Sequence, residues 1–301
     1  MRASRVRAKL QRDQPVLATT CHLADGSVFE LTSLMGFDAI WLDLEHHAHS
    51  METAQNLMRA ARIGRSDMLV RPAKGEFMRL GRMLEAGAQG IMYPRCDNAA
   101  EAAEVVKWAK FPPLGKRGLD GGNPDMPYCS MPIADYIRQA NEQTFVIIQI
   151  EEESALDQVD EIAAVEGVDV IFLGPGDFSC LSGHPGLVDH PKVLDAAERI
   201  AAATKRAGIH WGQPVGSPEH AKKCISMGAR FLSHGSDIVS VKRALEKMQG
   251  DFASAGFTFD NQLSPAGGSR NHIGSPHVPI VTDVRIGRDR ALSADRPALD
   301  I

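Results

Sequence analysis

The chain has 301 residues, 44% hydrophobic and 24% charged, an ordinary globular balance with length for one large core or two modest ones. A formal net charge of -5 gives no electrostatic reason to expect nucleic acid, and no apolar run approaches the roughly 20 residues needed to cross a bilayer. The cysteines (Cys21, Cys96, Cys129, Cys180, Cys224) are odd in number, scattered and without a C-x-x-C pair, which argues against a disulfide framework or a thiolate zinc site and for reduced thiols used as small hydrophobes.

Met1 to Gln14 is basic but has no apolar h-region, so a secretory signal is not expected and the cytoplasm is the default location. From residue 15 onward, short β-type runs alternate with helical patterns. Strands are predicted at Pro15–Cys21, Ala39–Leu44, Met68–Pro72, Gly90–Pro94, Phe145–Glu151, Val168–Gly174, His210–Pro214 and Arg230–Ser233. Most are continuous apolar runs, as parallel strands covered on both faces require. Helices are predicted at Met51–Ile63, Glu76–Ala86, Ala99–Ala109, Ala155–Val165, Pro191–Ala207 and Pro218–Met227. Asn98 and Ser217 are suited to N-caps, and Gly64, Gly87, Gly208 and Gly228 stand where helices should stop.

Eight strand–helix alternations predict an α/β fold, and their number favours a (β/α)8 TIM barrel over an open doubly wound sheet. No G-x-G-x-x-G follows the first strand, and no G-x-x-x-x-G-K-[ST] occurs. Residues 111–132 are too rich in Pro and Gly for a helix or central strand and read as a long functional loop. The chain divides into a barrel domain, 1–253, and a tail, 254–301, expected to be extended or partly disordered and to pack on a neighbouring subunit.

The chemistry-bearing residues gather at strand ends, which converge on one mouth in a parallel barrel. Glu151 and Asp177 each follow a buried strand and supply hard oxygen ligands suited to magnesium or manganese. Alone, Glu151 reads as one of three consecutive helix-N-terminal glutamates; its conjunction with Asp177 behind Gly174-Pro175-Gly176 points to function. Those glycines permit backbone N–H groups to approach a carboxylate. Arg71, between a strand and Pro72, should face an anion. His46 is the candidate base, with Asp43 or Glu45 available to fix its tautomer. His47 and His49 read as solvated loop histidines, and His184, His190, His210, His220 and His234 show no metal-ligand spacing.

The stretches GFDAIWLDLEHHAHS (36–50), LVRPAKGEFMRLGRMLEAGAQGIMYPR (69–95), FPPLGKRG (111–118), IIQIEEESAL (147–156) and FLGPGDFS (172–179) together resemble the HpcH/HpaI aldolases, metal-dependent class II enzymes of the phosphoenolpyruvate/pyruvate barrel superfamily. The resemblance covers about residues 15–250. It implies His46 as catalytic base oriented by Asp43, and Arg71 on the keto-acid oxygens. It further implies Glu151 and Asp177 as ligands to Mg2+, Mn2+ or Co2+, with Gln149 in the pocket. Amides near Gly176 and Asp177, behind Gly174 and Pro175, would hold the carboxylate, and Arg117 is assigned to the substrate more loosely. The implied activity is cleavage or formation of a 4-hydroxy-2-oxo acid, with pyruvate and an aldehyde as the small-molecule partners. The implied assembly is a homo-oligomer, a hexamer built as a trimer of dimers, with the helix at about Ile238–Met248 exchanged. The Arg117-Gly118 loop, Gly176, Phe178 and the long tail depart from the family pattern without removing a catalytic residue. Competing readings are an oxaloacetate decarboxylase similar to macrophomate synthase, a citrate-lyase β type enzyme, and a non-catalytic barrel that binds a small acid.

Overall fold

The computed structural model describes residues 1–263. Its strands are β1 (Val16–Cys21), β2 (Ala39–Asp43), β3 (Asp67–Arg71), β4 (Gly90–Tyr93), β5 (Phe145–Ile150), β6 (Val170–Leu173), β7 (His210–Pro214) and β8 (Ala229–Ser236). They pair in chain order, all parallel, and β8 closes on β1 as a barrel. The predicted (β/α)8 architecture is therefore the observed one.

Twelve α-helices are described: α1 (Arg5–Leu10), α2 (Gly26–Leu34), α3 (Met51–Ala61), α4 (Leu80–Ala86), α5 (Ala99–Ala109), α6 (Ile133–Gln143), α7 (Glu153–Leu156), α8 (Val159–Ala163), α9 (Pro175–Leu181), α10 (Pro191–Ala207), α11 (Pro218–Ser226) and α12 (Asp237–Ala253). The single helix expected over Ala155–Val165 is instead two short ones, broken at Asp157–Gln158. No described helix is long and apolar enough to cross a membrane. The tail expected from Ser254 lies mostly outside the described residues; those from 254 to 263 form neither helix nor strand.

Successive strand residues face opposite sides, so each strand divides its side chains between two cores. Trp41, Leu69, Met92, Phe145, Ile147, Val170, Phe172 and Phe231 fill the barrel interior. Ile40, Leu42, Val70, Ile91, Ile148, Ile171 and Leu173 pack outward against Phe29, Leu57, Met58, Met83, Val105, Val193 and Ile200 of the helices. At the N-terminal end, α1 plugs the barrel with Val6 and Leu10. It is pinned by the buried Asp67 carboxylate, which accepts from the Ser4 hydroxyl and from the Arg5 and Val6 amides. The interior is thus sealed by α1 below and ends above in polar side chains.

Helix α12 is different: none of its residues is buried. Ile238, Val241, Leu245, Met248 and Phe252 recur at helical spacing and are all exposed.

Candidate active site

Strand parity carries polar residues to the open mouth. Position 43 follows Ala39 and Trp41 on the inward face of β2, and position 71 follows Asp67 and Leu69 on β3. Gln149 and then Glu151 follow Phe145 and Ile147 along β5. The register of β2 and β3 sets Asp43 opposite Arg71.

Arg71 is the hub. Its Nε donates to Asp43 Oδ1 at 2.9 Å and its NH2 to Asp43 Oδ2 at 2.6 Å, a two-point fork. The Nε also lies 3.2 Å from Glu45 Oε2, and NH1 reaches Gln149 Oε1 at 3.4 Å. The guanidinium sits over the Trp41 ring, 4.7 Å from its centroid. Burial acts to raise the Asp43 pKa, but Arg71 outweighs it and holds the carboxyl below its usual range. Burial likewise disfavours the Arg71 charge, yet Asp43, Glu45 and Glu151 together raise its pKa.

Glu151 is only 2% exposed. Its Oε2 accepts the Arg95 amide at 2.9 Å, and its Oε1 accepts from Gln149 Nε2 at 3.2 Å. Burial, and then the Asp177 charge, push its pKa up to about 7, with Arg71 opposing. Asp177 stands exposed in the first turn of α9. With Asp177 raising the cost of ionising Glu151 and one arginine as partial compensation, this corner of the mouth is short of positive charge. Among the described residues no three His, Cys, Asp or Glu side chains converge to hold a metal. Glu151 and Asp177 are hard oxygen donors, and two such groups would suit a divalent ion completed by water and substrate oxygens.

Gly174 provides room for this arrangement. A Cβ there would lie 2.2 Å from Glu151 Oε1 and 2.5 Å from its Cγ. Its φ of -94° suits any residue, so the requirement is space rather than backbone freedom. Gly174→Ala is expected to destabilise the fold by about 1–3 kcal/mol through this overpacking. Urea unfolding reads the effect, and an unchanged midpoint would show that the carboxylate can move aside.

His46 lies beyond the end of β2 with its side chain 58% exposed, and its Nε2 is 3.5 Å from Glu45 Oε2. Both Asp43 oxygens are engaged by Arg71, and Oδ1 also accepts the Glu45 amide at 3.0 Å. Of the two carboxylates the sequence offers to His46, Glu45 is the one whose oxygen lies 3.5 Å from its ring, while Asp43 is engaged by Arg71. Arg117 is not brought to the cluster. It is buried in the 111–132 loop, paired with Asp125 at 2.6 Å, donating to the Tyr136 hydroxyl at 3.1 Å and lying over the Phe111 ring. Its charge is spent holding that loop together. Sequence reasoning missed Trp41 as the platform under Arg71, the Arg95 amide on Glu151, and the Glu45 contact to Arg71. Strand parity could have found only the first.

Fold and site together define a barrel enzyme whose C-terminal mouth presents an oriented arginine beside a pair of acids. The sequence model of the HpcH/HpaI aldolase/citrate lyase family matches residues 21–244, and the chain belongs to this family. A 5-keto-4-deoxy-D-glucarate aldolase of Klebsiella pneumoniae is 31% identical over 249 residues, covering 83% of this chain and 96% of the relative. A hydroxypyruvate/pyruvate aldolase of Pseudomonas aeruginosa is 32% identical over 254 residues, covering 83% and 92%. The crystal structure of an HpcH/HpaI aldolase from Desulfitobacterium hafniense superposes with a TM-score of 0.77 at 28% identity, covering 85% of this chain and 98% of that one. With relatives that are aldolases, this chain is a lyase.

Proposed function

We propose that the chain is a divalent-metal-dependent aldolase that interconverts a 4-hydroxy-2-oxo acid with pyruvate and an aldehyde. The observation that carries this reading is the Arg71 fork, fixed by Asp43 beside the Glu151–Asp177 acid pair at the open mouth. Glu151 and Asp177 would hold the metal, Mg2+, Mn2+ or Co2+, which when bound polarises the 2-oxo group as a Lewis acid.

The remaining roles belong to side chains in place. His46 takes the 4-hydroxyl proton, with Glu45 holding the ring. The C3–C4 electron pair then passes to the pyruvate half as an enolate, the aldehyde leaves, and C3 is reprotonated. Arg71 NH1 has only the long 3.4 Å contact to Gln149, so it is the arm available to the developing enolate oxygen. Gly176 and Asp177 lie in the first turn of α9, where amides lack helical acceptors, which supports carboxylate binding there. The exposed apolar stripe of α12 supports assembly with further copies of the chain, a hexamer by the family pattern.

Pyruvate release from a panel of 4-hydroxy-2-oxo acids, coupled to lactate dehydrogenase, tests the reading. EDTA-treated protein should be inactive and recover with magnesium or manganese. No release from any of them, with oxaloacetate cleaved instead, would move the assignment to a decarboxylase. Inactivity on every substrate with metal bound would leave a binding barrel.

A further inference from the structure

A second cluster sits at the same mouth and has no part in the chemistry assigned above. His22 follows β1, and His47 and His49 lie in the loop between β2 and α3. The ring centroids of His22 and His47 are 4.4 Å apart, and those of His47 and His49 are 6.0 Å apart. The loop carrying His22 is fixed: the His22 and Leu23 amides donate to the Asp237 carboxylate at 2.8 Å and 2.9 Å, and His22 Nδ1 stands 3.8 Å from it. His49 Nε2 is shielded from solvent and has no hydrogen-bond partner among the described residues. A buried ring nitrogen without a partner is costly, and a bound ligand can supply one.

The position of the cluster says which ligand. His47 adjoins His46, and His22 is close enough to Asp43 to feel its charge. The cluster therefore flanks the side of the pocket on which the 4-hydroxyl proton is taken. On the aldolase reading, substrate carbons beyond C4 would extend along that flank.

We infer that His22, His47 and His49 recognise the aldehyde half of the substrate and select aldehydes bearing hydroxyl groups over alkyl aldehydes of the same length. This rests on the aldolase reading. A neutral imidazole offers one donor and one acceptor, the same pair a hydroxyl presents. Burial and the neighbouring His47 lower the His22 pKa, which keeps that ring on the neutral side. Asp43, Glu45, Glu151 and Asp177 surround the centre with acid and disfavour a second carboxylate on the aldehyde. A wall of hydrogen-bonding groups rejects the analogue that lacks the hydroxyl because its own polar atoms are then left unpaired.

The test is aldol addition of pyruvate to glyceraldehyde, propanal and succinic semialdehyde by wild type, His47→Ala, His49→Ala and His47→Phe. Exchange of pyruvate C3 protons with deuterium, followed by NMR, is measured in parallel and needs no aldehyde. Wild type should prefer glyceraldehyde. The glyceraldehyde-to-propanal ratio of kcat/KM should fall about tenfold in each variant, the worth of one hydrogen bond, with C3 exchange unchanged. His47→Phe keeps a ring in place, so it reports lost hydrogen bonding rather than lost packing. An unchanged ratio in variants that still exchange C3 overturns the inference, as does a wild-type preference for propanal or succinic semialdehyde. Absence of C3 exchange in wild type is a separate failure, because it sinks the aldolase reading and this inference with it.

Discussion

Arg71→Ala is expected to lower kcat/KM for pyruvate formation by roughly a thousandfold, the scale of losing a preorganised donor to a developing oxyanion. It is also expected to destabilise the fold by about 3 kcal/mol, because it strands a buried charge. The Asp43 carboxylate is 3% exposed and takes both oxygens' strongest contacts from this guanidinium, at 2.9 Å and 2.6 Å. Without Arg71 it keeps the Glu45 amide and little else. The two losses separate in the double variant Arg71→Ala with Asp43→Asn. Removing the stranded charge should recover most of the stability and none of the activity. Arg71→Lys keeps the charge but cannot form the fork or stack on Trp41 in the same way, so it should fall between wild type and alanine. Urea unfolding and the coupled pyruvate assay read both quantities. A folded Arg71→Ala enzyme within tenfold of wild type would remove Arg71 from the enolate step.

What the sequence disclosed follows from period and parity. Eight apolar runs separated by helical patterns specify the barrel, because buried parallel strands leave few other solutions. Asp43, Arg71, Gln149 and Glu151 were legible as mouth residues because each ends such a run. Their partners were less so. Asp43 and His46 are three residues apart, yet the register sends Asp43 to Arg71 on the neighbouring strand, while His46 lies past the strand's end where parity no longer applies. Arg117 was drawn toward the site by its motif, but its partners lie 8 and 19 residues on, Asp125 in a loop without periodicity and Tyr136 in α6. Helix α6 begins after Pro132 with no side-chain cap and buries only Tyr136 and Ala140, so neither its start nor its face announces it. Helix α1 is six residues long and half of them are basic, with Val6 and Leu10 as its only buried apolar side chains.

Glu151→Gln is expected to abolish metal-dependent pyruvate formation, a loss of roughly a thousandfold or more if the charge that holds the metal is gone. The same change should make the metal-free protein more stable at alkaline pH. Burial and Asp177 raise the Glu151 pKa from 4.5 to about 7. Between those values the folded chain binds a proton that the unfolded chain has released. Stability therefore falls as pH rises through that window and levels off above it, by an amount on the order of 3 kcal/mol. Glutamine carries no charge at any pH, and its carbonyl oxygen can still accept the Arg95 amide. The stability gap between variant and wild type in EDTA should therefore be small at pH 4.5 and widen toward pH 8. Urea unfolding across that range measures it, and Mn2+ binding followed by electron paramagnetic resonance should be lost in parallel. Removing Glu151 is thus expected to help the empty fold and disable the loaded enzyme, the pattern of a carboxylate kept in an acid-rich pocket to hold a cation. A gap that does not change with pH, together with intact Mn2+ binding, would refute that role.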